Sequence, residues 1–203
     1  MKFSNIALIS SGIRALVIGG GKAGLIKTKA LLKRGCTVFV VSNNFIEGFN
    51  DIDDKNLHLI KGYYKKDYIF DKHLIVMAIG EDSTIQAITM DCNENHKLYL
   101  NCKNFKEGNF IIPFQVESKE VNIAINTTEG NPKVSKKISN VFLEYVEERD
   151  ELISFINFAR TRLKDNPIKN EVLDFLVSDE FEKYFKEGKH RGIIIEKYGE
   201  ILT

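Results

Sequence analysis

Residues 15–24 constrain this chain more than any other stretch. The apolar run Ala15-Leu16-Val17-Ile18 leads into Gly19-Gly20-Gly21-Lys22-Ala23-Gly24, and a helical pattern through Ala23, Ile26, Ala30 and Leu31 follows. Strand, G-x-G-x-x-G, helix is the order of a dinucleotide-binding turn. In such a turn the first glycine, Gly19, permits a sharp bend. The second, Gly21, lets the backbone approach a pyrophosphate, and the third, Gly24, lets the helix lie close to the strand. The helix N-terminus turns free N–H groups and a partial positive charge toward the phosphates, so Lys22 and Ala23 join the glycines as expected cofactor contacts. Lys22 reads equally well as a solvated first-turn lysine.

The rest of the first half keeps the same alternation. Apolar runs at 37–41, 59–60, 74–79 and 98–100 read as further strands, with a helix over 84–93. Short, continuously apolar strands separated by helices predict an α/β fold: a Rossmann-like open parallel sheet with right-handed crossovers. An acidic residue is expected after the second strand, where it would bind the ribose 2′-hydroxyl of NAD. This chain has Ser42, Asn43 and Asn44 there, with no arginine beside them for a 2′-phosphate. Those three are the expected ribose contacts, with the cofactor leaning to NAD over NADP. Gly80 ends the fourth strand, at the sheet edge where ligands bind. Glu81 and Asp82 beside it either border the nicotinamide side or, with Ser83, cap the next helix.

Near residue 110 the pattern changes. Residues 110–116 and 121–125 read as a hairpin, and from Pro132 the chain looks helical, broken at Asp165-Asn166-Pro167. Phe181, Tyr184 and Phe185 form an apolar stripe read as core in preference to an oligomer interface. The expected organisation is a Rossmann domain over 1–108, a small α+β dimerisation region over 109–148, and a helical C-terminal domain over 149–203.

Composition removes several function classes. Lys plus Arg is 29 against 28 Asp plus Glu, so nothing in the charge balance asks for nucleic acid. No apolar run approaches the ~20 residues of a membrane span. The residues behind Lys2 lack the long apolar segment of a signal peptide. The three cysteines are far apart, which predicts reduced thiols in a cytoplasm rather than a disulfide framework. The four histidines have no metal-ligand spacing, so no protein metal site is expected.

Several segments together resemble a known family. They are Arg14-Ala15-Leu16-Val17-Ile18-Gly19-Gly20-Gly21, Lys29-Ala30-Leu31-Leu32 with Gly35, Asn109-Phe110-Ile111-Ile112-Pro113, and Ile123-Ala124-Ile125-Asn126-Thr127 running to Asn131-Pro132. In this order they resemble precorrin-2 dehydrogenase, the dehydrogenase module of siroheme synthase. The resemblance implies an intertwined homodimer that oxidises precorrin-2 to sirohydrochlorin with NAD⁺ as hydride acceptor. Some members also insert iron. The position of the family's catalytic Asp falls on Asn104, and Thr127 takes the place of a serine beside the tetrapyrrole. An amide cannot serve as a base. Either no base is needed there, or Glu107 of the same loop substitutes, or activity is reduced. Lys103, Lys106, Lys133, Lys136 and Lys137 are candidate partners for the substrate's carboxylates. The competing reading is a non-catalytic, NAD-responsive regulatory module on the same fold, supported by the missing acid at 104.

Overall fold

The computed structural model describes residues 3–202. The chain divides after Ile112 into two compact units. The first is a five-stranded parallel sheet in the order β3-β2-β1-β4-β5, built from β1 (Arg14–Gly20), β2 (Thr37–Phe45), β3 (Leu57–Lys61), β4 (Leu74–Met77) and β5 (Leu98–Asn101). Helix α1 (Lys22–Lys33) connects β1 to β2, and α2 (Asp82–Glu94) connects β4 to β5.

The central strands are apolar throughout because both their faces are covered. Ala15, Val17, Val38, Val40 and Val76 form one core with Leu31, Leu32 and Phe49. Leu16, Ile18, Val41, Ile75 and Met77 form the other with Ile85, Ile88 and Cys92 of α2. Alternate residues of β1 thus serve opposite faces, as period-two strand geometry requires. Each fully buried aliphatic side chain contributes roughly 1.5–3 kcal/mol relative to exposure.

Three details depart from the sequence reading. The buried face of α1 is Gly24, Thr28, Leu31 and Leu32, whereas Ile26 is 56% exposed. The glycine dictates which side of the helix can approach the sheet, and Ile26 lies off that side. Strand β2 does not stop at Val41. Its pairing with β1 runs in step to Ile18↔Val41, then jumps to Gly20↔Phe45. The irregularity gives β2 two extra residues around the glycine turn, so Ser42, Asn43 and Asn44 lie in a bulged strand. Residues 110–113 are not strand, because Asn109 and Phe110 instead donate their N–H groups to Tyr99 O.

The second unit begins with a hairpin of β6 (Phe114–Glu117) and β7 (Asn122–Ile125), in the register Phe114↔Ile125 to Glu117↔Asn122. Helix α3 (Pro132–Glu147) packs on it. Asn131 caps α3 by accepting from the N–H groups of Lys133 and Val134, with proline at the first helical position. Four shorter helices follow: α4 (Asp150–Arg162), α5 (Lys169–Leu176), α6 (Asp179–Lys186) and α7 (His190–Tyr198). Their core contains Leu152, Leu163, Leu176 and Phe181. Phe181 is fully buried and clusters with Phe155, Phe175 and Phe185, so Phe181 and Phe185 of the stripe are core, whereas half-buried Tyr184 points its hydroxyl to Glu180.

Candidate active site

Strand order reverses between β1 and β4, and at that point an open α/β sheet leaves a crevice beyond its carboxyl edge. The glycine turn lies there, and its four glycines are constrained differently. Gly19 has φ +120°, and a Cβ on it would overlap the Ala78 carbonyl. A Cβ on Gly24 would sit well inside 3.0 Å of the Gly19 carbonyl oxygen. One on Gly20 would collide with Asn44 O and lie 2.9 Å from Ser42 Oγ. Protein packing alone therefore demands these three.

Gly21 is different. A Cβ there would meet nothing within 4 Å. Gly21 is also the N-cap of α1, so it supplies no side chain to the first-turn N–H groups, and that turn carries no acidic residue. The first N–H groups of a helix have no partner within it. Open space above backbone donors at a positive helix end fits a pyrophosphate. Lys22 and Ala23, exposed in the first turn, border the same space.

On the β2 side, Ser42 Oγ donates to Asn44 O at 2.7 Å and closes the bulge. The hydroxyl hydrogen is thereby used, and what Ser42 offers outward is acceptor capacity. Exposed Asn43 donates its amide to the Tyr63 hydroxyl at 3.3 Å. Asn44 is exposed as well, and its carbonyl faces the glycine turn.

On the β4–β5 side, Gly80 has free space where a Cβ would stand, and its carbonyl accepts from Lys103 Nζ at 3.3 Å. Lys103 also pairs with Asp82 Oδ1 at 2.6 Å. Asp82 is therefore in the first turn of α2 and already paired. Glu81, at the N-cap, makes no side-chain cap and accepts from the Thr84 hydroxyl. The capping expected of Glu81, Asp82 and Ser83 does not form, because the helix begins two residues earlier than its apolar pattern suggests.

The loop after β5 contains the most organised polar group of this edge. Asn101 is 1% exposed. Its side-chain oxygen accepts from the N–H groups of Lys103 at 2.9 Å and Asn104 at 3.3 Å, and its amide donates to Glu107 Oε2 at 2.9 Å. Asn104 donates from its own amide to Glu107 Oε1 at 2.8 Å, while its side-chain oxygen caps the Lys106 N–H. Both oxygens of an exposed carboxylate are thus held by amide donors on one short loop. Asn104, itself an amide, thus helps hold the Glu107 carboxylate. In the sequence Asn101 marks only a strand end, and an asparagine closing a parallel strand is the signal available there. The neighbouring Cys102 thiol is pushed up by burial, which keeps it protonated and a poor nucleophile.

Thr127 belongs to the second unit, where its hydroxyl oxygen accepts from the Asn131 N–H at 2.6 Å. It shapes the turn that starts α3, and its own hydrogen remains available for donation. Lys133, Lys136 and Lys137 are exposed on the first turns of α3. Among the described residues, no group of three or more His, Cys, Asp and Glu side chains is placed to hold a metal. None of the described helices is long and apolar enough to cross a membrane.

Comparison with known proteins fits this geometry. Residues 6–114, more than half of the chain, match a family model described as "Putative NAD(P)-binding". The chain is 30% identical over 205 aligned residues to a "Putative precorrin-2 dehydrogenase" of Methanocaldococcus jannaschii, covering 95% of this chain and 96% of that one. It is 23% identical to the precorrin-2 dehydrogenase of Priestia megaterium, over 95% of this chain and 98% of that one. A solved structure titled "SirC, precorrin-2 dehydrogenase" superimposes with a TM-score of 0.72 at 23% identity, over 97% of this chain and all of that one. At that identity the superposition establishes the fold.

Proposed function

Because the chain belongs to the precorrin-2 dehydrogenase family, we propose that it oxidises precorrin-2 to sirohydrochlorin, in siroheme biosynthesis, with NAD⁺ as hydride acceptor. The observation that carries this reading is the division of labour within the glycine turn. Gly19, Gly20 and Gly24 are demanded by protein atoms, whereas Gly21 faces open space at the N-terminus of α1, where a pyrophosphate fits. When bound, the nicotinamide ring supplies the site that receives the hydride.

The chain's own residues have three tasks. Gly21, Lys22, Ala23 and Gly80 receive and orient the cofactor. Glu107 receives the proton that leaves the macrocycle as the hydride departs, with its carboxylate fixed by Asn101 and Asn104. Fixing both oxygens before the substrate arrives removes a reorganisation cost from the reaction step. Thr127 and the α3 lysines provide a hydroxyl donor and cations of the kind a polycarboxylate requires.

Preference for NAD⁺ over NADP⁺ rests on Ser42. With its hydrogen given to Asn44 O, Ser42 can accept from a ribose 2′-hydroxyl but has no donor for a 2′-phosphate. Lys61, the register neighbour of Ser42 on β3, is the exposed cation that would argue the other way. A homodimer is supported by α3, where Ser135 and Ser139 are buried while Val134, Ile138, Val141, Phe142 and Tyr145 are exposed along one stripe. An apolar stripe of this length on a helix already packed by its other face is what a second subunit would cover. The free cysteines fit a reducing cytoplasm.

The experiment is anaerobic turnover of precorrin-2 by the purified protein, with NAD⁺ or NADP⁺, followed by sirohydrochlorin absorbance. Product with NAD⁺ above the no-enzyme rate is expected. Saturable NAD⁺ binding without product would favour the regulatory module. A preference for NADP⁺ lost in Lys61→Ala would reverse the cofactor assignment.

A further inference from the structure

Tyr63 and Tyr64 follow β3 directly and behave oppositely. The ring of Tyr64 packs against the core under α2, and its hydroxyl donates to Asp91 at 2.9 Å. Tyr63 is 76% exposed, among the most exposed large side chains of the first unit. Its loop is nonetheless fastened. Gly62 donates its N–H to Ser42 O at 3.0 Å, Tyr64 is tied to Asp91, and the Tyr63 hydroxyl accepts from Asn43 at 3.3 Å. Among the described residues, no aromatic ring or cation lies against Tyr63. The ring is thus held in place and left uncovered, available to an occupant.

Its place in the sheet indicates which one. Tyr63 stands at the carboxyl edge, two residues beyond the end of β3, and its tether Asn43 is in the β2 bulge that closes on Gly20. This is the β2–β3 side of the switch point, where a dinucleotide lays its adenosine half. We propose that Tyr63 is the adenine platform of the cofactor site, its ring stacking on the base while Asn43 fixes the ring's position through the hydroxyl. The assignment rests on the dinucleotide reading above and deepens it. Stacking is indifferent to groups on the base edge, so Tyr63 supports affinity and leaves ribose discrimination to Ser42.

The test compares wild type, Tyr63→Ala and Tyr63→Phe, using NAD⁺ and AMP as probes in calorimetry. It also follows tyrosine emission, which is readable because the chain has no Trp and only 7 Tyr. Tyr63→Ala should weaken NAD⁺ and AMP about tenfold each, from a base–aromatic stack of ordinary strength. Tyr63→Phe should retain affinity within about threefold, since the ring survives. AMP should quench part of the wild-type emission, and that part should vanish in Tyr63→Phe although AMP still binds. A direct stack predicts this last signature, and a merely structural tyrosine does not. The exposed position lets both variants fold, which an unchanged Tm verifies. Unaltered NAD⁺ and AMP affinity in Tyr63→Ala, or quenching that persists in Tyr63→Phe, overturns the platform and leaves the dinucleotide reading intact. Wild-type protein that binds neither NAD⁺ nor AMP overturns both.

Discussion

The two sides of the switch point are built by opposite means. The glycine turn is made by leaving side chains out. Three of its glycines are needed because a Cβ would strike a carbonyl, and the fourth has open space beside it, where the proposed cofactor would approach. The loop after β5 is made by putting side chains in, with two asparagines spending their amides on a single carboxylate. The first design binds through fixed backbone dipoles and tolerates almost no substitution. The second fixes a charge, proposed as the proton acceptor, and its strength depends on every amide in the set. Affinity and turnover should therefore fail separately.

Gly21→Asp should break the comparison most severely. A Cβ at position 21 meets nothing within 4 Å, so Tm should hold, while NAD⁺ affinity falls by roughly a hundredfold or more because the carboxylate meets the pyrophosphate. Retained affinity by calorimetry would move the cofactor elsewhere. Glu107→Gln should leave NAD⁺ binding and KM in place and lower kcat by about a hundredfold, the usual worth of a positioned base. Unchanged kcat would leave the macrocycle to lose its proton to solvent. Asn104→Ala should cost about tenfold in kcat at constant KM, since the carboxylate keeps one of its two tethers. Gly24→Ala sharpens the contrast from the other side. It should lower stability by roughly 2 kcal/mol in urea unfolding, because Gly19 O must move, and weaken NAD⁺ only through that shift.

The smallest effect belongs to the second unit, far in kind from either design. His190 packs against Phe155 and Phe185, and burial, aided by Arg191, lowers its pKa below 6.5. The neutral ring is favoured in the fold, so its contribution is complete above pH 6.5 and is lost as pH falls through the depressed value. His190→Phe keeps the aromatic contacts and should flatten the acid side of the Tm–pH curve. A curve that stays as steep would assign the acid sensitivity to other groups.

How much of this was legible beforehand follows the same division. A glycine has few reasons to occupy a given place, so Gly19, Gly21 and Gly24 declare a strand, a turn and a helix in the sequence itself. The apolar strands declared a parallel sheet for a related reason: only burial on both faces tolerates such runs. The loop after β5 was not legible in that way. Asn104 reads as a lost acid, and only the backbone path from Asn101 to Glu107 brings a carboxylate three residues on into the grip of both asparagines. Tyr63 and Tyr64 are identical in composition and adjacent in sequence, and nothing short of the fold separates the anchored ring from the open one.

The sequence by itself determined the sheet, the dinucleotide turn and the family, because these rest on local rules of sterics and hydrophobic pattern that each residue obeys independently. The tertiary structure decided the irregularity in β2 that uses the Ser42 hydrogen, the clamp on Glu107, the outward stripe of α3 and the exposure of Tyr63. Each of these depends on which groups meet across the sheet edge or against a neighbouring element. A hydrogen bond has one donor to give, and where it is spent is a property of the assembled molecule.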